Sequence, residues 1–377
     1  MNAPNHGKAA SLSAVDFWEG LVRDLRHKPG ISIPSWCGIF GLLVFVAIGS
    51  AYAAEPARSI EDVYDDVNGS VVVVRTLERA VMDQDQTDLV TFSDQGSGVL
   101  ISETGDVLTA AHLVQVADFV RVEFYDGTQV GATIVASDPI ADLALLRLDE
   151  IPEIAVTVRL ADSDAVRVGQ QVFVIGAPYG LGHTLTVGHV SARHLPGTLS
   201  GIPGLAEFFQ ADVAIHGGNS GGPMFDMNGD VVGIVTHQLT QSGNFEGLGF
   251  SVTSNSVKKL LLRHRSPWSG VSVFALNATL AGFFNLPQES GLLVQRVATG
   301  SPGAQIGLQH GFMPAMIGEQ QLLLGGDVIL DVDGRTVGTL ESYVELRRHL
   351  SEIKPGQAVR VRVLRKGRIV ELTASLE

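Results

Sequence analysis

The sequence predicts a mainly β chain in two compact parts, on three observations. Runs of β-branched residues such as "SVVVVRTL" (Ser70–Leu77) recur at short intervals from Ser59 to about Leu262. Asp126–Gly127 and Asn228–Gly229 punctuate these runs, and Asp-Gly and Asn-Gly are the pairs that tight hairpin turns require. Beyond a polar, proline-containing stretch, "RHRSPW" (Arg263–Trp268), a second series of strands begins and carries one long helical pattern. Many short strands with regular turns make a sandwich or a barrel, and the second series reads as an α+β unit.

The elements follow in chain order. Arg23, Arg26 and Lys28 precede an uncharged run from Pro29 to Ala54, with "IFGLLVFVAI" at its heart and the small-x-small pair Ala51 and Ala53 at its end. This is the pattern of an export signal, cleaved or kept as an anchor over residues 1–54, with cleavage slightly favoured. Basic residues before the run and Glu55, Glu61 and Asp62 after it place the rest of the chain outside the cytoplasm. "GVLISETGDVLTAAH" reads as two strands joined at Thr104-Gly105-Asp106, and "VRVEFYDGTQVGATIV" and "MFDMNGDVVGIVT" read as hairpins. "SNSVKKLLLRH" is a closing helix with Ser254 or Ser256 as its cap. Residues 263–267 form the linker. The second unit has strands at "GVSVFAL", "GLLVQRV", "GDVILDVDGRTV", "AVRVRVL" and "RIVELTA", and a helix, "LESYVELRRHLSEI", with Val344, Leu346 and Leu350 near one side.

Composition narrows the function. A chain of 377 residues has room for two or three domains, and a 45% apolar content supplies real cores. A formal net charge of −14 without basic clusters argues against nucleic acid as a partner. Cys37 is the one cysteine, so no internal disulfide forms. Without CxxC, HExxH or clustered histidines, neither a metal nor another cofactor is expected.

The chemistry centres on "HGGNSGGPMF" (His216–Phe225). A serine hydroxyl needs a base, a group that orients the base, and donors aimed at the oxyanion. Glycines 217, 218, 221 and 222 permit a turn sharp enough to expose Ser220 and aim backbone amides at one point. Taken alone, the loop fits an idle glycine-rich turn equally well. Two other stretches shift the balance. "LTAAH" sets His112 directly after an apolar strand, and "DPIADLALLRL" sets Asp142 at the head of another. His, Asp and Ser follow at intervals of 30 and 78 residues, the order found in chymotrypsin. His183, His189, His194, His216 and His237 are rivals by residue type only. Asp138, before Pro139, reads as a turn residue, and Asp149 ends its strand.

Together "GSGVLISETGDVLTAAH", "DPIADLALLRL", "GNSGGPMFDMNGDVVGI" and "GLGFSVTSNSVKKLL" resemble the HtrA/Deg family of trypsin-fold serine proteases, and the second unit resembles its PDZ domain. The resemblance runs from about Ser59 to Glu377. It implies two six-stranded β-barrels, at about 59–155 and 156–262 within a protease domain of 59–262, then a PDZ-like domain at 268–377. By similarity His112 is the general base, Asp142 orients it and Ser220 is the nucleophile. The amides of Gly218 and Ser220, with Asn219, would form the oxyanion hole. Ala214 stands six residues before the serine, where trypsin-like enzymes that select basic side chains carry an acid. A small or medium apolar residue is therefore expected before the cut. Gly270 and Val271 resemble the carboxylate-binding turn of a PDZ domain, with Tyr343 and Leu346 across the peptide groove. The resemblance further implies unfolded or regulatory envelope proteins as substrates, C-terminal peptides as PDZ ligands, a periplasmic location and a homotrimer with Tyr64 at its contact. Residues 36–54 would supply any inner-membrane tether. "QHGFMPAMIGEQQLLLGGDVI" adds some 16 residues to the family pattern, and this insert is either a tolerated loop or a gate packed on the protease unit. A chaperone-like protein with an idle triad and an esterase are the competing functions.

Overall fold

Strand periodicity explains how two barrels share one core. In the computed structural model, β1 (Val71–Val81), β2 (Leu89–Leu100), β3 (Asp106–Thr109), β4 (Phe119–Glu123), β5 (Gln129–Asp138) and β6 (Leu143–Leu148) close in the order β1-β2-β3-β6-β5-β4. The second barrel, β7 (Gln171–Gly176), β8 (Thr184–His194), β9 (Phe208–Ala211), β10 (Pro223–Phe225), β11 (Val231–Gln238) and β12 (Gly249–Thr253), closes with the same neighbour pattern. Alternate side chains go to opposite faces of a strand. Val72, Val74, Leu100, Val107 and Leu146 therefore fill the first barrel, while their neighbours Val71, Val99, Leu108 and Leu145 face out of it. These outward residues meet Phe173, Ile175, Phe225 and Phe250 of the second barrel. Strands β6, β7 and β12 are buried on both faces, so they read as apolar runs, whereas β4 buries one face and alternates.

The structure describes residues 58–81, 89–177, 182–199, 204–238, 247–318, 320–354 and 356–375. The export segment and Cys37 lie outside them. Among the described residues no helix is long and apolar enough to cross a membrane. Helix α1 (Ile60–Val67) is capped by Ser59, whose hydroxyl accepts from Asp62 N, and seats Val63 and Val67 in the shared core. Its Tyr64, the expected trimer contact, donates its hydroxyl to His183 O of the same chain at 3.0 Å. The short α2 (Ala111–Val114) follows β3. The closing helix α3 (Ser254–Val257) runs on into a π-helical turn, Lys258–Arg263. Its cap is Thr253, not Ser254 or Ser256: Thr253 is the last extended residue and accepts from Ser256 N.

The third sheet has the order β13 (Val271–Leu276), β14 (Gly291–Val297), β17 (Val328–Val332), β19 (Ala358–Arg365), β20 (Arg368–Ser375), with β18 (Arg335–Thr336) paired to β17. Two barrels and an α+β unit are the architecture the resemblance implies. Helices α4 (Ala278–Phe283) and α5 (Pro302–Gln305) escaped the sequence reading because, at less than two turns each, they are too short to show a repeating apolar face. Helix α6 (Leu340–Glu352) places Leu346 and Leu350 against the sheet, but Val344 is 46% exposed and does not share their face. The insert folds as a hairpin, β15 (Met313–Ile317) with β16 (Gln320–Leu324). Its described contacts stay in its own unit: Leu323 N donates to Gln295 Oε1, and Gly311 N bonds Val294 O. None of its described hydrogen bonds or ion pairs reaches the barrels, so the structure does not support the packing that a gate would need.

The linker is docked rather than loose. Ser266 is buried and its carbonyl accepts from Ser137 N at 3.1 Å, while Pro267 bridges to Ala136. Arg58–Glu377 accordingly clusters as one compact unit.

Candidate active site

The first barrel brings His112 and Asp142 together. His112 lies on α2, immediately after β3, and Asp142 sits in the turn between β5 and β6. Asp142 has a φ of 55°, a left-handed conformation that aspartate tolerates better than most side chains. Its Oδ1 accepts from the backbone N–H of His112 at 2.9 Å. His112 Nδ1 lies 3.0 and 2.9 Å from the two carboxylate oxygens. A carboxylate accepts only, so Nδ1 carries the proton and Nε2 is left as the base. Burial in the cleft pushes the His112 pKa down, but the hydrogen bond and charge of Asp142 outweigh this and hold it above the ordinary histidine value.

The second barrel contributes Ser220. A cavity of about 470 Å³ is lined by His112, Asp142, Ile215, His216, Ser220 and Thr236 among others. The Ser220 hydroxyl points to Thr236 O at 3.4 Å, a long contact, and no hydrogen bond from it to His112 is formed among the described residues. The base and the hydroxyl therefore face one cavity, and a turn of the serine side chain is the motion that would join them.

The glycines carry the geometry expected of them. Gly218 and Gly221 have φ of 102° and 82°. A Cβ on Gly221 would come within 2.3 Å of Ser97 O, and one on Gly222 within 2.9 Å of Asn219 O. Asn219 departs from expectation. Its N–H donates to His216 O at 3.0 Å, closing the turn on itself, so this amide does not face an incoming oxyanion. Among the described residues the N–H groups of Gly218 and Ser220 have no backbone acceptor.

Sequence reasoning missed Ser97. It is fully buried on β2, and its hydroxyl donates to Gly218 O at 2.7 Å and accepts from Ala177 N at 2.9 Å. Its own N–H donates to Ser220 O at 2.9 Å. One residue of the first barrel thus braces the nucleophile loop of the second. The signal was a small polar residue between Gly96 and Gly98 in a strand, a pattern of close backbone approach.

Ala214 carries no charge, and Ile215 is 3% exposed with its Cδ1 packed over Gly249, where an added Cβ would lie only 2.4 Å away. In the third unit Gly270 has a φ of 67° and β13 lies at the edge of its sheet. Val271 and Leu346 share one apolar cluster. The carbonyl of Val271, however, accepts from Gln115 Nε2 at 2.8 Å, and the Tyr343 hydroxyl donates to Asp138 Oδ1 at 3.1 Å. Both partners belong to the first barrel.

Comparison with known proteins finds two domain families in this chain. The trypsin-like peptidase domain family matches residues 96–234, and the PDZ domain family matches residues 247–376. A protein of Halomonas elongata is 35% identical over 291 residues, 74% of this chain and 56% of its own length. One from Pseudomonas putida strain W619 is 37% identical over 292 residues, 74% of this chain and 55% of its own. Both carry the name "Probable periplasmic serine endoprotease DegP-like". The chain spans a little over half the length of these curated relatives. Among solved structures, "HtrA-type protease AlgWS227A with decapeptide" is similar with a TM-score of 0.51 at 28% identity, covering 84% of this chain and 97% of that one.

Proposed function

The chain belongs to the HtrA/DegP-like family of serine endoproteases, with a trypsin-like peptidase domain and a PDZ domain, and from that premise we propose that it is a periplasmic endopeptidase acting on unfolded or regulatory envelope proteins. The observation that carries the reading is the paired His112 and Asp142 facing one cavity with Ser220. Ser220 Oγ attacks the peptide carbonyl as its proton passes to His112 Nε2. Asp142 holds the ring and stabilises the imidazolium. The N–H groups of Gly218 and Ser220 receive the charge on the carbonyl oxygen. Collapse of the tetrahedral species expels the amine, which takes the proton back from His112. Water then enters by the same route in reverse and frees the acid. Ile215 closed over Gly249 favours a small or medium apolar residue before the cut. Peptide C-termini are the ligands proposed for Gly270, Val271 and the facing α6.

The resting direction of the Ser220 hydroxyl, toward Thr236 O, favours one second reading: a peptide-binding or chaperone-like protein with an idle triad. Digestion of an unfolded protein by the full chain, with fragments mapped by mass spectrometry, separates the two. A working triad gives cuts after small or medium apolar residues, and Ser220→Ala lowers the rate by about 10⁴-fold or more. Equal digestion by wild type and Ser220→Ala would remove Ser220 as nucleophile. Cuts concentrated after Lys or Arg would remove the apolar pocket.

A further inference from the structure

His112 and Asp142 both belong to elements that the C-terminal domain holds in place. Gln115, three residues after His112, caps α2 and is buried. Its carbonyl accepts from Trp268 Nε1 at 3.0 Å, and its side-chain amide donates to Val271 O at 2.8 Å. Its Oε1 accepts from Ser137 Oγ at 2.6 Å, which ties α2 to the end of β5. The turn from β5 to Asp142 is also held from the C-terminal domain, by one hydrogen bond and one ion pair. The carboxylate of Asp138 is fully buried. Its Oδ1 accepts from Ala141 N at 3.0 Å, fixing the turn one residue before Asp142, and also from the Tyr343 hydroxyl. Its Oδ2 lies 2.8 Å from Arg347 Nε. Arg347 is itself anchored, donating to Leu260 O and, at 2.7 Å, to His264 O.

A buried carboxylate keeps its place only while its charge is compensated. Without the guanidinium, Asp138 would turn toward water and release Ala141 N. Asp142 sits next in the chain, in a left-handed conformation that its surroundings must enforce. We propose that Tyr343 and Arg347 are positioning residues of the catalytic centre, which hold the Asp138–Asp142 turn, and through it His112, in working register. On this account the docked C-terminal domain supports catalysis instead of restraining it. The inference rests on the serine-protease reading above and deepens it.

The test uses the full chain and a peptide substrate cut in a Ser220-dependent manner, with kcat and KM measured from about pH 5.5 to 8.5. Arg347→Ala lowers kcat by about ten- to a hundredfold, the scale set by small displacements of catalytic groups, with KM within about twofold. The acid limb of its kcat/KM profile moves to lower pH, since His112 loses the contact that raises it. Arg347→Lys recovers most of the kcat. Tyr343→Phe, which removes one hydroxyl and keeps the ring, moves both quantities in the same direction by less. Arg296→Ala breaks a different interdomain ion pair, to Glu78 at 2.8 Å, and stays within about twofold of wild type in kcat. A kcat for Arg347→Ala equal to or above wild type overturns the inference. So does a fall in kcat with an unmoved acid limb, or an equal fall in Arg296→Ala. If Arg347→Ala does not fold, Tyr343→Phe decides alone, and wild-type values for it overturn the proposal. Digestion by wild type that survives Ser220→Ala removes the protease reading and this inference with it. Ser220-dependent cleavage unaffected at Arg347 and Tyr343 removes the inference only.

Discussion

In the proposed mechanism His112 carries the pH dependence of the site. A general base works when neutral, and Asp142 holds this imidazole above the ordinary histidine value against the opposing pull of burial. Activity should therefore fall on the acid side at a higher pH than an unperturbed histidine would give. Asp142→Asn removes the carboxylate behind the two larger effects that raise the pKa, leaving the smaller pull of Asp94 and the burial that lowers it, so the acid limb should shift to lower pH while kcat drops by about 10⁴-fold. A pH series of kcat/KM for both proteins checks this, and an acid limb shifted upward in the variant would contradict it. The same residues show what a sequence discloses. His112, Asp142 and Ser220 could be proposed from the sequence because each stands beside an apolar strand or within a run of glycines. Asp138 was half legible. Its place before Pro139 marked a turn, and its carboxylate does cap that turn at Ala141 N. Its second role, as acceptor for Tyr343 and partner of Arg347, joins positions more than 200 apart, and such a pairing leaves no periodic trace.

Among the elements, α6 depends most on its surroundings. None of its residues is fully buried, and its start is secured by a capping box in which Thr339 and Ser342 each bond the other's backbone N–H. A helix with little core to hold it relies on such caps. Thr339→Ala should therefore cost about 1 kcal/mol of stability in the C-terminal domain, and urea unfolding followed by far-ultraviolet circular dichroism measures it. A cost near zero would mean that the contacts of Tyr343 and Arg347 alone fix the helix. The strands were readable from β-branched runs and turn pairs, most clearly where the barrels bury both faces, as in β6 and β12. The insert was not, because "MPAMI" and "QQLLL" alternate weakly and lack an Asn-Gly or Asp-Gly turn, so pairing between them had no local signature.

Across the whole molecule, the first barrel and the C-terminal domain are joined by polar contacts at several places. Glu78 pairs with Arg296, Asp118 Oδ1 accepts from Thr299 N at 2.6 Å, and Asp138 pairs with Arg347. Burial raises the Glu78 pKa above the ordinary carboxylate value although Arg296 pulls it down, a sign that this contact is partly withdrawn from water. With barrels and C-terminal domain linked this way, calorimetry of the full chain should show one unfolding transition, and Arg347→Ala should separate it into two. Two resolved transitions in the wild type would show that the domains melt independently. The twin barrels followed from the sequence, but the docking between domains did not, because it rests on single charged and polar side chains that composition and periodicity cannot distinguish from solvated ones.

The docking of Arg347 on Asp138 bears on timing. A ribosome delivers Ser220 long before it delivers residue 347. If the late arginine completes the early histidine and aspartate, a growing chain stays harmless to itself and to its unfinished neighbours until residue 347 has been made. Any cutting power would then arrive well after the serine that delivers it.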